Sequence, residues 1–62
     1  MMLIKLTRTA DGKTIYVNPQ TINAIYPDYN SGVTIIQFVD ENNFLEVEQS
    51  VCDVAKMVER KA

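Results

Sequence analysis

The sequence predicts an α+β fold: a small, mainly antiparallel sheet of four or five strands with a C-terminal amphipathic helix packed on one face. Three observations predict it. Residues 2–17 contain two alternating apolar and polar segments around a glycine-bearing turn. Residues 33–48 contain two more such segments. Beyond Ser50 the apolar period changes from two to that of a helix, and these two periods distinguish strands from helices.

Over residues 2–8, Met2, Ile4 and Leu6 fall on one face and Leu3, Lys5 and Thr7 on the other, as in a half-buried strand. Thr9-Ala10-Asp11-Gly12-Lys13 is a hairpin connection in which Gly12 suits the left-handed position and Asp11 the turn before it. Thr14-Ile15-Tyr16-Val17 resumes the alternation, with Ile15 and Val17 inward and Tyr16 outward. Asn18-Pro19 ends that strand, because proline cannot continue a ladder but opens a helical turn well behind an asparagine cap. A single turn is expected over Pro19-Gln20-Thr21, delivering Ile22 to the core.

The stretch Ile22-Asn23-Ala24-Ile25-Tyr26 fits two patterns. Ile22 and Ile25 have helical spacing, whereas Ile22, Ala24 and Tyr26 have strand spacing. Pro27 restricts Tyr26 to extended geometry, which favours a strand ending there. A loop follows over 27–32, then Val33–Val39, apolar on both faces for much of its length and therefore expected at the centre of the sheet. Within it, Ile35 is assigned to the core, and Thr34, Ile36 and Phe38 to the opposite face. Asp40-Glu41-Asn42-Asn43 makes a turn, and Phe44–Glu48 returns with Leu45 and Val47 on one face. Ser50 is placed to cap the Asp53 amide of a helix whose stripe is Val51, Val54, Ala55 and Val58, with Met57 at its edge. The expected core is Ile4, Leu6, Ile15, Val17, Ile22, Ile25, Ile35, Leu45, Val47, Val51, Val54 and Val58.

Sixty-two residues make a single domain, 1–62. A chain this short buries only about 60% of its unfolded surface, so disulfides, metals or self-association commonly supplement the core. One cysteine and no histidine leave self-association, and a homo-oligomer, most simply a dimer, is expected over Thr34, Ile36 and Phe38. No nucleic-acid partner is expected, because 6 basic against 8 acidic residues gives a net charge of −2 where phosphate binding needs a basic excess. The first apolar run breaks at Lys5, too early for a leader or a membrane span. With the free Cys52, this gives a cytoplasmic expectation and no membrane insertion.

No catalytic, metal or cofactor set emerges. Cys52 lacks a histidine base, and Glu46 with Glu48 shares a strand face with Phe44, the ordinary composition of an exposed surface. Gly12 and Gly32 are isolated turn residues. Tyr16, Tyr26 and Tyr29 are interleaved with strands, where aromatics pack more often than they stack on a ligand. The expectation is a protein that is not an enzyme and has no cofactor.

The chain resembles the FlbD family of small bacterial flagellar and swarming-motility proteins over residues 4–59. The likeness lies in Ile4-Lys5-Leu6-Thr7-Arg8, the Gly12 turn, Asn18, Ile22 with Ile25, Pro27-Asp28, and Val47-Glu48 with Ser50-Val51 before the helix. The resemblance implies an adaptor or regulator acting in motility through contacts with another, unidentified protein. The binding surface expected for it is the first hairpin, where Arg8, Lys13 and Tyr16 lie near Asn18. The alternative is a phage or mobile-element protein that binds a host protein or sequesters a small anionic signal. The longer middle loop and the hairpin's basic residues motivate that alternative.

Overall fold

A computed structural model describes residues 3–40 and 42–61 of the chain, with the side chain of Lys61 outside the description. The elements in order are β1 (Ile4–Thr7), β2 (Thr14–Val17), a 3-10 turn (Pro19–Thr21), β3 (Ile22–Pro27), β4 (Thr34–Phe38), β5 (Phe44–Val47) and α1 (Val51–Lys61). This is an α+β fold with five strands in two small antiparallel sheets and a C-terminal helix. The expected start of the first strand at Met2 lies outside the described residues, as does Glu41 of the last turn.

Strands β1 and β2 form one hairpin, and β3, β4 and β5 form a meander with β4 central. The two sheets meet at one point, where Arg8 stands opposite Val47. Thr9 donates its N–H to the Glu46 carbonyl at 3.1 Å, and the Glu48 N–H donates to the Thr7 carbonyl at 2.9 Å. Gln49 extends this seam with its side chain. Its Oε1 accepts from the Thr7 N–H at 2.9 Å, and its Nε2 donates to Thr7 Oγ1 at 3.1 Å. A side-chain amide thus does for Thr7 what a neighbouring strand would do.

Two hairpin loops share one geometry. In the first, the Gly12 N–H donates to the Arg8 carbonyl and the Arg8 N–H to the Lys13 carbonyl; in the second, Gly32 donates to Asp28 and Asp28 to Val33. Gly12 at φ 70° and Gly32 at φ 78° occupy the left-handed region that closes each loop. All three hairpins carry an aspartate that accepts from the amide two residues on: Asp11 from Lys13, Asp28 from Asn30 and Asp40 from Asn42. These are Asx turns, in which a short carboxylate replaces a backbone acceptor. The 3-10 turn is capped as expected, with the Asn18 side chain accepting from the Gln20 N–H at 3.0 Å. Ser50 Oγ accepts from the Asp53 N–H at 3.1 Å, which fixes the start of α1.

The core is small. Ile4, Leu6, Val17, Ile36, Val47 and Val54 are buried, and Ile15, Ile22, Ile25, Phe38, Leu45, Met57 and Val58 pack against them. Each large apolar side chain fully withdrawn from water contributes about 1.5–3 kcal/mol. Val51 is half-buried at the head of the helix.

The face assignment within β4 is reversed relative to the sequence expectation. Ile36 is fully buried, Thr34 is 4% exposed and Phe38 packs against the core, so the helix side of the sheet is formed by Thr34, Ile36 and Phe38. Ile35 stands on the other side and is only half-buried. The strand is apolar at both parities, so alternation alone could not orient it. Register does: Ile36 pairs with Ile25 on β3 and Leu45 on β5, which face the core with it. With the core already covering them, Thr34, Ile36 and Phe38 are not the open face on which a dimer was expected.

Strand β3 resolves its two competing patterns with a bulge. Ile22 pairs with Phe38 and Ala24 with Gln37, leaving Asn23 as an extra residue. The inserted residue shifts the alternation by one position. Ile22 and Ile25, three apart, therefore both face the core, and the helical spacing comes from a strand. The strand runs through Pro27, one residue beyond the expected end.

Candidate functional site

Three surfaces carry exposed side chains with binding character, and on the first of them, the hairpin, the expected cluster is divided in two. Lys5 and Tyr16 are register partners in the first hairpin, on the face opposite Ile4, Leu6 and Val17. Tyr16 is 63% exposed. Arg8 belongs to the other parity and sits at the loop mouth, where its guanidinium is engaged by Asp11. Nε donates to Oδ1 at 3.1 Å and Nη2 to Oδ2 at 2.6 Å. Lys13 is exposed and gives its backbone N–H to the same carboxylate. Arg8 and Lys13 are thus joined through Asp11, and Tyr16 stands apart beside Lys5.

The electrostatics follow from these contacts. The Arg8 hydrogen bond, followed by the Lys13 amide, holds the Asp11 carboxyl below its ordinary pKa, and the hydrogen bond and charge of Asp11 raise that of Arg8. Asp28 is likewise lowered, by the Asn30 amide and then the Ser31 hydroxyl. Both aspartates remain ionised through the neutral range, and Arg8 arrives at the surface with its charge already compensated.

The second surface is the uncovered face of the meander. Register places Ala24, Gln37 and Phe44 in one row across it, and Tyr26, Ile35 and Glu46 in the next. Phe44 is 65% exposed and Tyr26 43%. The expected shared face of Phe44 and Glu46 is present here.

A third feature, not foreseen in the sequence, is an open recess of about 510 Å³ between β1 and the end of α1. It is lined by Leu3, Ile4, Lys5, Met57 and Arg60. Met57 and Arg60 are three apart on the helix and so share a face. In the sequence Lys5 reads as an outward strand residue and Arg60 as a favourable charge at a helix C-terminus. Their meeting depends on how α1 crosses the sheet, for which no local signal exists. Cys52 is exposed and free. Among the described residues no group of three acidic, cysteine or histidine side chains is arranged to hold a metal ion, and no helix is long and apolar enough to cross a membrane.

Comparison of the chain with protein-family models, with curated proteins and with solved structures gives no match.

Proposed function

We propose that this chain is a small, non-catalytic adaptor or regulator that acts through protein contacts, in flagellar or swarming motility as the likeness to the FlbD family implies, and in the cytoplasm. The observation that carries the protein-contact reading is the one-sided sheet. Its helix-covered side faces the buried core, and its other side presents Phe44, Tyr26 and the half-buried Ile35 in adjacent rows. Aromatic side chains are enriched in protein interfaces, where they supply large contact area at low entropic cost. The test is deletion of the gene in a flagellated host, with restoration by the wild type and by Phe44→Asp. The reading expects impaired swimming or swarming, restored by the wild type and not by the variant. Unchanged motility on deletion contradicts the motility role, and full restoration by Phe44→Asp contradicts the assignment of the surface.

Self-association over this same face is the second reading, in place of the surface expected at Thr34, Ile36 and Phe38. Phe44 and Tyr26 favour it, since a second copy would cover them and enlarge a small core. Light scattering at micromolar concentration tests it: a dimer converted to a monomer by Phe44→Asp supports the reading, and a wild-type monomer ends it. The small-anion alternative loses its strongest residue, because the Arg8 guanidinium is held by Asp11.

A further inference from the structure

The hydrogen-bond parity of β1 leaves part of its edge open. The bond from the Arg8 N–H to the Lys13 carbonyl marks that pair as hydrogen-bonded. The regular register then makes Leu6 with Ile15 and Ile4 with Val17 the bonded pairs, and Lys5 with Tyr16 and Thr7 with Thr14 the non-bonded ones. The backbone groups of Lys5 and Thr7 therefore point away from β2. Those of Thr7 are taken by Glu48 and by the Gln49 side chain. Those of Lys5 have no partner among the described residues. The seam between the two sheets ends at Thr7, and the recess lined by Lys5, Met57 and Arg60 begins beside it.

We propose that this open edge of β1 and the adjoining recess receive an extended, acidic segment of a partner protein, added beside β1 as a further strand. The inference rests on the protein-contact reading above and gives it a second surface and a partner chemistry. Main-chain groups of Lys5 supply the register, as in other cases of strand addition. Leu3, Ile4 and Met57 form the apolar part of the lining. Charge selects the sign of the segment. Two of the lining residues, Lys5 and Arg60, are basic and none is acidic, neither has an ion pair among the described residues, and Lys56 stands one helical turn before Arg60. Carboxylates of the incoming strand would find charge-assisted donors there, whereas a basic segment would be repelled.

The test uses the full chain, labelled for amide detection by NMR, and a blocked six-residue peptide alternating valine with glutamate. Two controls accompany it: the same peptide with lysine for glutamate, and one N-methylated at every residue so that neither edge can donate. The acidic peptide is expected to shift the amides of residues 3–5 and 57–60 with a dissociation constant on the order of 0.1–1 mM, typical of a short, unoptimised segment. Lys5→Glu with Arg60→Glu, both at exposed positions, should weaken it by about tenfold or more, and both control peptides should be inert. Three results would overturn the proposal: no shift at millimolar peptide, equal binding of the lysine peptide, or unchanged binding by the charge-reversed variant. Shifts confined to Tyr26, Ile35 and Phe44 would also overturn it while leaving the protein-contact reading standing. Lys5 would then be a guard against edge pairing.

Discussion

Replacing the two adjacent isoleucines of β4 separates the faces of the sheet. Ile36 is fully buried in the central strand, with Ile25 and Leu45 beside it on the same face. Ile35 is half-buried on the uncovered side between Tyr26 and Glu46. Both substitutions lose the same local β preference, so the difference between them reports burial. Truncating a buried isoleucine to alanine costs about 2–5 kcal/mol, and a chain of this length has a total stability of about 3–9 kcal/mol at the usual value per residue. Ile36→Ala should therefore remove about half of the stability, while Ile35→Ala should cost about 1–2 kcal/mol. The milder valine pair keeps the comparison measurable: Ile36→Val should cost about 0.5–1.5 kcal/mol and Ile35→Val a smaller amount. Urea unfolding followed by circular dichroism gives the midpoints, with an unchanged slope required. Equal losses at the two positions, or a larger loss at Ile35, would refute the assignment of the core face.

Gln49→Ala should cost about 1–3 kcal/mol, the penalty for leaving the partly buried Thr7 N–H without an acceptor, read from the same urea midpoints together with faster exchange at Thr7. Gly12→Ala and Gly32→Ala should each cost about 1–2 kcal/mol from the left-handed backbone alone, because an added Cβ meets nothing within 4 Å at either position; asparagine at the same sites should cost less. The folded pKa values of Asp11 and Asp28 are depressed, so their contribution is complete above the unfolded carboxylate value and is lost as pH falls through the folded ones. Stability should therefore be level near neutrality and decline below about pH 4, and an NMR titration should find both carboxyls titrating below the ordinary aspartate value. Phe38→Asp should unfold the chain and not merely separate copies of it, since Phe38 packs against the core; a folded, monomeric Phe38→Asp variant would contradict this.

Much of the fold is legible in the residues because local chemistry and tertiary demand agree. Asn18-Pro19, Ser50 with Asp53, and Gly12 each specify a backbone geometry that the structure adopts. The hairpin alternation places Ile4, Leu6 and Val17 inside and Tyr16 outside. Two failures have physical causes. In β4 the two faces are equally apolar, and only pairing with Ile25 and Leu45 selects Ile36 over Ile35. In β3 the bulge at Asn23 breaks the period on which alternation depends. The expected cluster of Arg8, Lys13 and Tyr16 treated neighbours in sequence as neighbours in space, although strand parity separates Tyr16 from Arg8 and Asp11 engages Arg8. The recess escapes sequence reading because Lys5 and Arg60 are brought together only by the packing of α1 across the sheet.

The most direct measurement is amide exchange, residue by residue, along β1. Leu6 is bonded within the hairpin ladder, Thr7 to Gln49 and Thr9 to Glu46, whereas Lys5 faces the recess with no partner among the described residues. The account expects the Lys5 amide to exchange at least about a hundredfold faster than those of Leu6 and Thr7, and to become protected when the acidic peptide is added. A Lys5 amide already as protected as Thr7 in the free chain would mean that the edge is closed, and would contradict the account.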